Sequence, residues 1–190
     1  MRVARPSQLR RRALLRDLEC EDETRRWTAA KELSSFGDPR TRDLLVRMLR
    51  DHDDRRARGA AAYTLGFAGY QDAAPVLAGV LSDVDENVEV RAYAAEALGH
   101  LLPGAPVLAP VRTAILAALR DESPEIRFWS AFAAGVLGLQ EARRQLAALA
   151  ETDHRLVRGW WSVAEEAEWA LRLLDGEEDP PLPERRDGRG

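Results

Sequence analysis

Cysteine is nearly absent from this 190-residue chain: Cys20 stands alone, which excludes an internal disulfide framework and any cysteine-based metal cluster within one chain. Histidine occurs only at His52, His100 and His154, and none of them precedes a glutamate. Lys31 is the single lysine, so arginine carries the basic charge. Long apolar runs are missing. The opening MRVARPSQLRRRALL is basic but leads into Arg16, Asp17 and Glu19, so neither a secretory leader nor a membrane span is expected, and a reducing, cytoplasmic location is. A positive balance is lacking as well. With a formal net charge of −4, nothing drives the chain onto phosphate backbones, and nucleic acid is not the expected partner. No G-x-S-x-G, Walker glycine-lysine loop or G-x-G-x-x-G occurs, so no nucleophile elbow or phosphate cradle is announced.

What is present is a repeat. Arg26-Trp-Thr-Ala-Ala-Lys-Glu-Leu33, Arg58-Gly-Ala-Ala-Ala-Tyr-Thr-Leu65 and Arg91-Ala-Tyr-Ala-Ala-Glu-Ala-Leu98 each read R-x-x-A-A-x-x-L, at spacings of 32 and 33 residues. A fourth copy begins at Arg127, 36 residues on, and a degraded fifth at Arg158 after 31 more. The added length of the third interval falls between the helices of the third repeat, at Leu102-Pro-Gly-Ala-Pro106, which cannot continue a helix. Four residues before each arginine stand Asp22, Asp54, Asn87, Ser123 and His154, four of them good helix N-caps, and Pro124 suits a first helical position. Glycines at Gly66, Gly99 and Gly135, and again at Gly37, Gly69 and Gly138, read as helix ends. Second helices are expected at about 40–50, 73–81, 107–120 and 141–150.

The stretch Asp85-Glu-Asn-Val-Glu-Val-Arg-Ala-Tyr-Ala-Ala-Glu-Ala-Leu-Gly99 resembles the HEAT-like repeat named after phycocyanobilin lyases, and the resemblance extends over roughly 22–174. It implies an all-α, right-handed α-solenoid of about four and a half two-helix repeats in a bacterial protein. It fixes no single activity, since lyases, hydroxylases, glycosylases and scaffolds share the repeat. Residues 1–21 are expected to be a basic segment and capping helix with Leu9, Leu14 and Leu18 inward. Ser162-Val-Ala-Glu165 is a capping-box pattern opening a last helix that would expose Glu165, Glu166 and Glu168. Residues 175–190, rich in proline and charge, read as a disordered tail.

Candidate chemistry follows from these columns. The recurrent arginine reads first as a structural ladder, with Asp85 and Asp121, six residues before Arg91 and Arg127, as its acids. Asp51-His-Asp-Asp54 has no second cluster to complete a metal site, and no metal or cofactor is expected. The residues instead suggest protein binding without catalysis, as a monomer or a heteromer with the partner. The second helices are expected to line the inner face, so the candidate partner-binding residues are Arg40, Asp43, Arg47, Arg50, Gly79, Arg112, Thr113, Ala117, Arg120, Arg143 and Ala147: a small-residue floor rimmed by polar groups. Aromatics crowd the carboxyl half, and Trp129, Trp160 and Trp161 are candidate anchors if exposed, end plugs if not. Two enzymatic alternatives stay open by resemblance: handling of a bilin chromophore, and alkylpurine DNA glycosylase chemistry, for which Trp129, Trp160, Trp161 and Asp153 could imitate the groove residues.

Overall fold

The computed structural model describes residues 6–104, 106–178 and 180–185. They form ten α-helices: α1 (Pro6–Leu18), α2 (Glu23–Leu33), α3 (Pro39–Asp51), α4 (Arg55–Phe67), α5 (Ala74–Ser82), α6 (Val88–Leu101), α7 (Ala109–Ala118), α8 (Pro124–Val136), α9 (Arg143–Thr152) and α10 (Val163–Leu174). Among the described residues the one β element is an isolated bridge between Leu156 and Ser162. The array is an all-α solenoid, and the Pro-Gly interruption separates α6 from α7 as expected.

Capping sets the starts of the motif helices. Asp22, Asp54 and Asn87 accept from the backbone N–H of Arg25, Arg56 and Glu89. Ser123 makes no such bond, and Pro124 opens α8 instead. Ser162 and Glu165 form the reciprocal capping box at α10. The fifth copy departs from the expected register. Arg158 lies in a turn before α10, because residues 153–162 fold on themselves through Val157 N–H to Trp161 O and Val163 N–H to Arg155 O.

Pairing of the helices differs from the expected order. Each motif helix packs on the helix that precedes it, as α2 on α1, α4 on α3, α6 on α5 and α10 on α9, but α4, α6, α8 and α10 pack most extensively on one another. Two kinds of glycine serve this arrangement. Gly37, Gly69 and Gly138 have φ of 58°, 73° and 65° and end helices as read. Gly66, Gly99 and Gly135 do not: they sit inside helices at contact points of the motif row. A Cβ on Gly66 would come 2.6 Å from Ala97 Cα, and one on Gly135 2.8 Å from Ala170 Cα. A Cβ on Gly79 in α5 would meet nothing within 4 Å. Hence G66A should lower stability by about 1–3 kcal/mol through overpacking, whereas G79A should raise it by about 0.5–1 kcal/mol through helix propensity. Urea melts of both variants check this, and equal shifts would contradict the close helix approach.

The arginine ladder exists with different partners. Arg58 and Arg127 donate to the carbonyls of His52 and Asp121, six residues back, and Arg26 to that of Cys20. Their carboxylate partners come from the next inter-helix turn: Glu86 for Arg58 (2.7 Å), Asp121 for Arg91 (2.6 Å) and Asp153 for Arg127 (2.7 Å). Asp85 is exposed and is not the acid of Arg91. Each pair therefore stitches neighbouring repeats together.

Both ends differ in detail from the sequence reading. Leu14 and Leu18 are buried, but Leu9 is 56% exposed, because α1 has packed neighbours on one side only. Glu166 is 1% exposed, not surface-facing, and accepts a 2.7 Å bond from Trp161 Nε1. Within the stretch read as a disordered tail, Pro180 is buried and its carbonyl accepts from Trp169 Nε1 at 3.0 Å, while Arg185 lies over Trp160. The remainder of that expectation, at 186–190, falls outside the described residues.

Candidate binding groove

A broad concavity of about 770 Å³, open to solvent, is lined by the motif helices. α2 supplies Trp27 and Lys31, and α4 supplies Arg55 and Tyr63. α6 contributes Val88, Glu89, Ala92, Tyr93 and Glu96, α8 contributes Glu125 and Trp129, and Val157, Arg158 and Trp160 close the carboxyl end. This corrects the expectation that the second helices form the inner face. Close glycine-to-alanine packing draws the motif helices together, so their row is the inner one.

The expected binding residues accordingly stand on the opposite row. Arg40, Asp43, Arg47 and Arg50 are on α3, Gly79 on α5, Arg112, Thr113 and Ala117 on α7, Arg120 just beyond it, and Arg143 and Ala147 on α9. Several hold inter-repeat contacts: Arg112 is 3.5 Å from Glu141, and Arg143 bonds Asp175 and the Leu174 carbonyl, each at 2.7 Å. Ala117 and Arg120 share a smaller recess of about 520 Å³ with Val84 and Glu122. The anchors divide. Trp129 and Trp160 line the groove, whereas Trp161 is buried against Phe128, Val157 and Val163. Asp153 is enclosed and bonded by Arg127 and Arg155, so its carboxylate belongs to the ladder and does not line the groove.

Aromatic side chains run almost unbroken along the inner face. Trp27 meets Tyr63 and Tyr93 at 5.1 and 5.2 Å, Tyr63 stacks on Phe67 at 4.2 Å, and Phe67 contacts the His100 ring at 4.3 Å. His100 meets Phe132, which stacks on Trp169 and touches Trp129; Trp129 packs edge-on against Trp160 at 5.1 Å. Gly59 makes room for this row, since a Cβ there would lie 2.9 Å from the Tyr93 ring. Half-buried aromatics with reachable edges are the side chains from which binding surfaces draw most of their energy.

One carboxylate lies on the floor of this row. Glu96 is 8% exposed, and burial pushes its carboxyl up to about 7. The one basic group within 4 Å of it among the described residues is His100, 3.9 Å away, whose ring burial holds below the ordinary histidine value. Burial, and then Glu89 and Glu96, raise the Tyr93 hydroxyl; burial and Glu96 raise that of Tyr63. The groove lining had a signal in the repeat. Lys31, Tyr63, Glu96 and Phe132 occupy one column, five residues after the motif arginine, and the x of R-x-x-A-A-x-x-L hid it.

Comparison with known proteins adds the ancestry. Residues 12–88 and 80–172 match the HEAT repeats family. An uncharacterized phycocyanin operon protein Z of Pseudanabaena tenuis is 31% identical over 109 residues, 56% of this chain and 53% of that protein, so the chain spans about half the length of the curated relative it matches. Among solved structures, the complex of CpcE and CpcF of phycocyanin lyase from Nostoc sp. PCC7120 superposes with a TM-score of 0.69 at 19% identity, covering 86% of this chain and 99% of the matched one. A designed armadillo repeat protein in complex with the peptide (KR)4 gives 0.53 at 16% identity, covering 85% and 80%. These structural likenesses establish the solenoid fold.

Proposed function

The chain belongs to the HEAT-repeat family, and on that premise we propose that it is a non-catalytic scaffold whose concave inner face docks another protein. The observation that carries this reading is the set of aromatic side chains, Trp27, Tyr63, Tyr93, Trp129 and Trp160, on an open groove shared by four successive motif helices. Such a surface offers rigid, amphipathic contact area at low entropic cost. The outer row, with Arg47, Arg120 and Arg143, is the second face on which a partner could dock.

Two sets of substitutions separate the faces. V88R with W129A should abolish capture of the native partner from the source cell, with helical content retained, while R47E, R120E and R143E together should leave capture within about threefold, as rim charges do. The opposite pattern would overturn the assignment to the inner face. The phycocyanin relative favours a second reading, handling of a bilin chromophore beside phycocyanin. An absorbance change when phycocyanobilin is mixed with the chain, lost in W129A, would support that reading over a purely protein-binding one.

A further inference from the structure

We infer that the inner groove selects cationic side chains, taking an extended, arginine-bearing segment of the partner protein, with Glu96 as the counter-charge and Trp160 as a stacking platform. The inference rests on the docking role proposed above and specifies the chemistry of the occupant. Two independent features lead to it.

The first is a guanidinium already seated on one of the groove's indoles. Arg185 Cζ lies 4.0 Å from the ring centroid of Trp160, and Trp160 is itself a lining residue beside Trp129. The chain reaches this position because Trp169 Nε1 holds the Pro180 carbonyl at 3.0 Å, which leads the following residues back along α10. An arginine over an indole face is the geometry in which the ring quadrupole attracts a cation. The chain's own Arg185 thus stands where a partner's outermost arginine would lie.

The second is Glu96, more than nine-tenths buried in the groove beside Tyr63 and Tyr93, with Trp129 elsewhere in the same lining. A carboxylate in that setting loses hydration, and its nearest basic neighbour, His100, is itself held toward the neutral form. A guanidinium entering from the open side would restore the missing counter-charge and meet aromatic faces at once. The groove also carries Lys31, Arg55 and Arg158, but these are exposed at its edges, and Arg55 is 3.7 Å from Glu89. Glu96 is the one charged-type lining residue that is buried, so an acidic segment would place its carboxylates against an acid.

Fluorescein-labelled (Gly-Arg)4, (Gly-Glu)4 and (Gly-Leu)4 peptides, titrated with the whole chain and followed by anisotropy, test this. (Gly-Arg)4 should bind at least about tenfold more tightly than either of the others. E96Q, which keeps shape, should lose about tenfold of that affinity, whereas E151Q, at an exposed acid outside the groove, should lose less than about twofold. R185A should gain a few-fold by uncovering Trp160. Circular dichroism confirms that the variants fold. Equal binding of the three peptides, equal losses in E96Q and E151Q, or no gain in R185A would each overturn the inference. Capture of the native partner that is lost in V88R with W129A but unaffected by E96Q would leave the docking role standing and remove only its charge preference.

Discussion

Replacing Asp153 by alanine should cost about 3–5 kcal/mol, the range for stranding one member of a buried ion pair. Its partner Arg127 is enclosed on the same terms, the two side chains being 5% and 3% exposed with Nε and Oδ2 2.7 Å apart. Arg127 also donates to the Asp121 carbonyl, and Asp153 also accepts from Arg155, while its backbone carbonyl takes the Ala164 N–H at the entry to α10. Burial by itself would raise the Asp153 carboxyl, yet the hydrogen bonds and charges of Arg155 and Arg127 hold it below the usual carboxylate value. Removing the acid leaves a guanidinium inside the array and loosens the seam between α8 and α10. The double replacement R127M with D153L should cost far less than either single change, because it strands no charge. Thermal melts decide the matter: a midpoint fall of about 10 °C is expected for D153A in a chain of this size. A loss no greater than that of R10A, which breaks the exposed pair with Glu32, would refute the seam.

Stability should also decline as the solution becomes alkaline, and Glu166 is the main cause. Burial raises its carboxyl from 4.5 to about 8, although the bond from Trp161 Nε1 pulls in the other direction. Because the folded chain binds this proton more tightly than the unfolded chain does, the group favours the fold fully below pH 4.5 and loses that contribution as pH climbs through about 8. At about 1.4 kcal/mol per pKa unit the swing is on the order of 5 kcal/mol. Glu96, raised to about 7, adds a smaller total loss of the same sign that is complete at lower pH. E166Q keeps an acceptor for the indole and carries no charge, so its urea midpoint should stay nearly level from pH 7 to 9 while that of the wild type falls. Parallel curves for the two proteins would dismiss this account.

The repeat made most of the fold legible. Register came from R-x-x-A-A-x-x-L, and helix starts came from Asp22, Asp54, Asn87 and Ser162, whose side chains act on backbone groups two or three residues away. The site was less accessible. Gly66 and Gly135 looked like helix ends because the close approach of Ala97 and Ala170 involves residues about one repeat distant. Arg91 looked paired with Asp85 for a related reason: nearness along the chain favours the acid six residues back, whereas the stack presents Asp121 from the following turn.

By itself, the sequence determined the helices, most of their caps, the repeat length, the lack of any cysteine beyond Cys20 and the absence of phosphate-binding motifs, all properties of local spacing and composition. Only the tertiary structure decided which row of helices is inner, that Tyr63, Tyr93, Trp129 and Trp160 share one groove, and that Glu166 lies inside while Arg185 returns to an indole face. Curvature is the physical reason. A periodic pattern assigns a buried side to every helix, but which row closes up depends on how near the helices can approach, and here alanine and glycine let the motif row approach most closely.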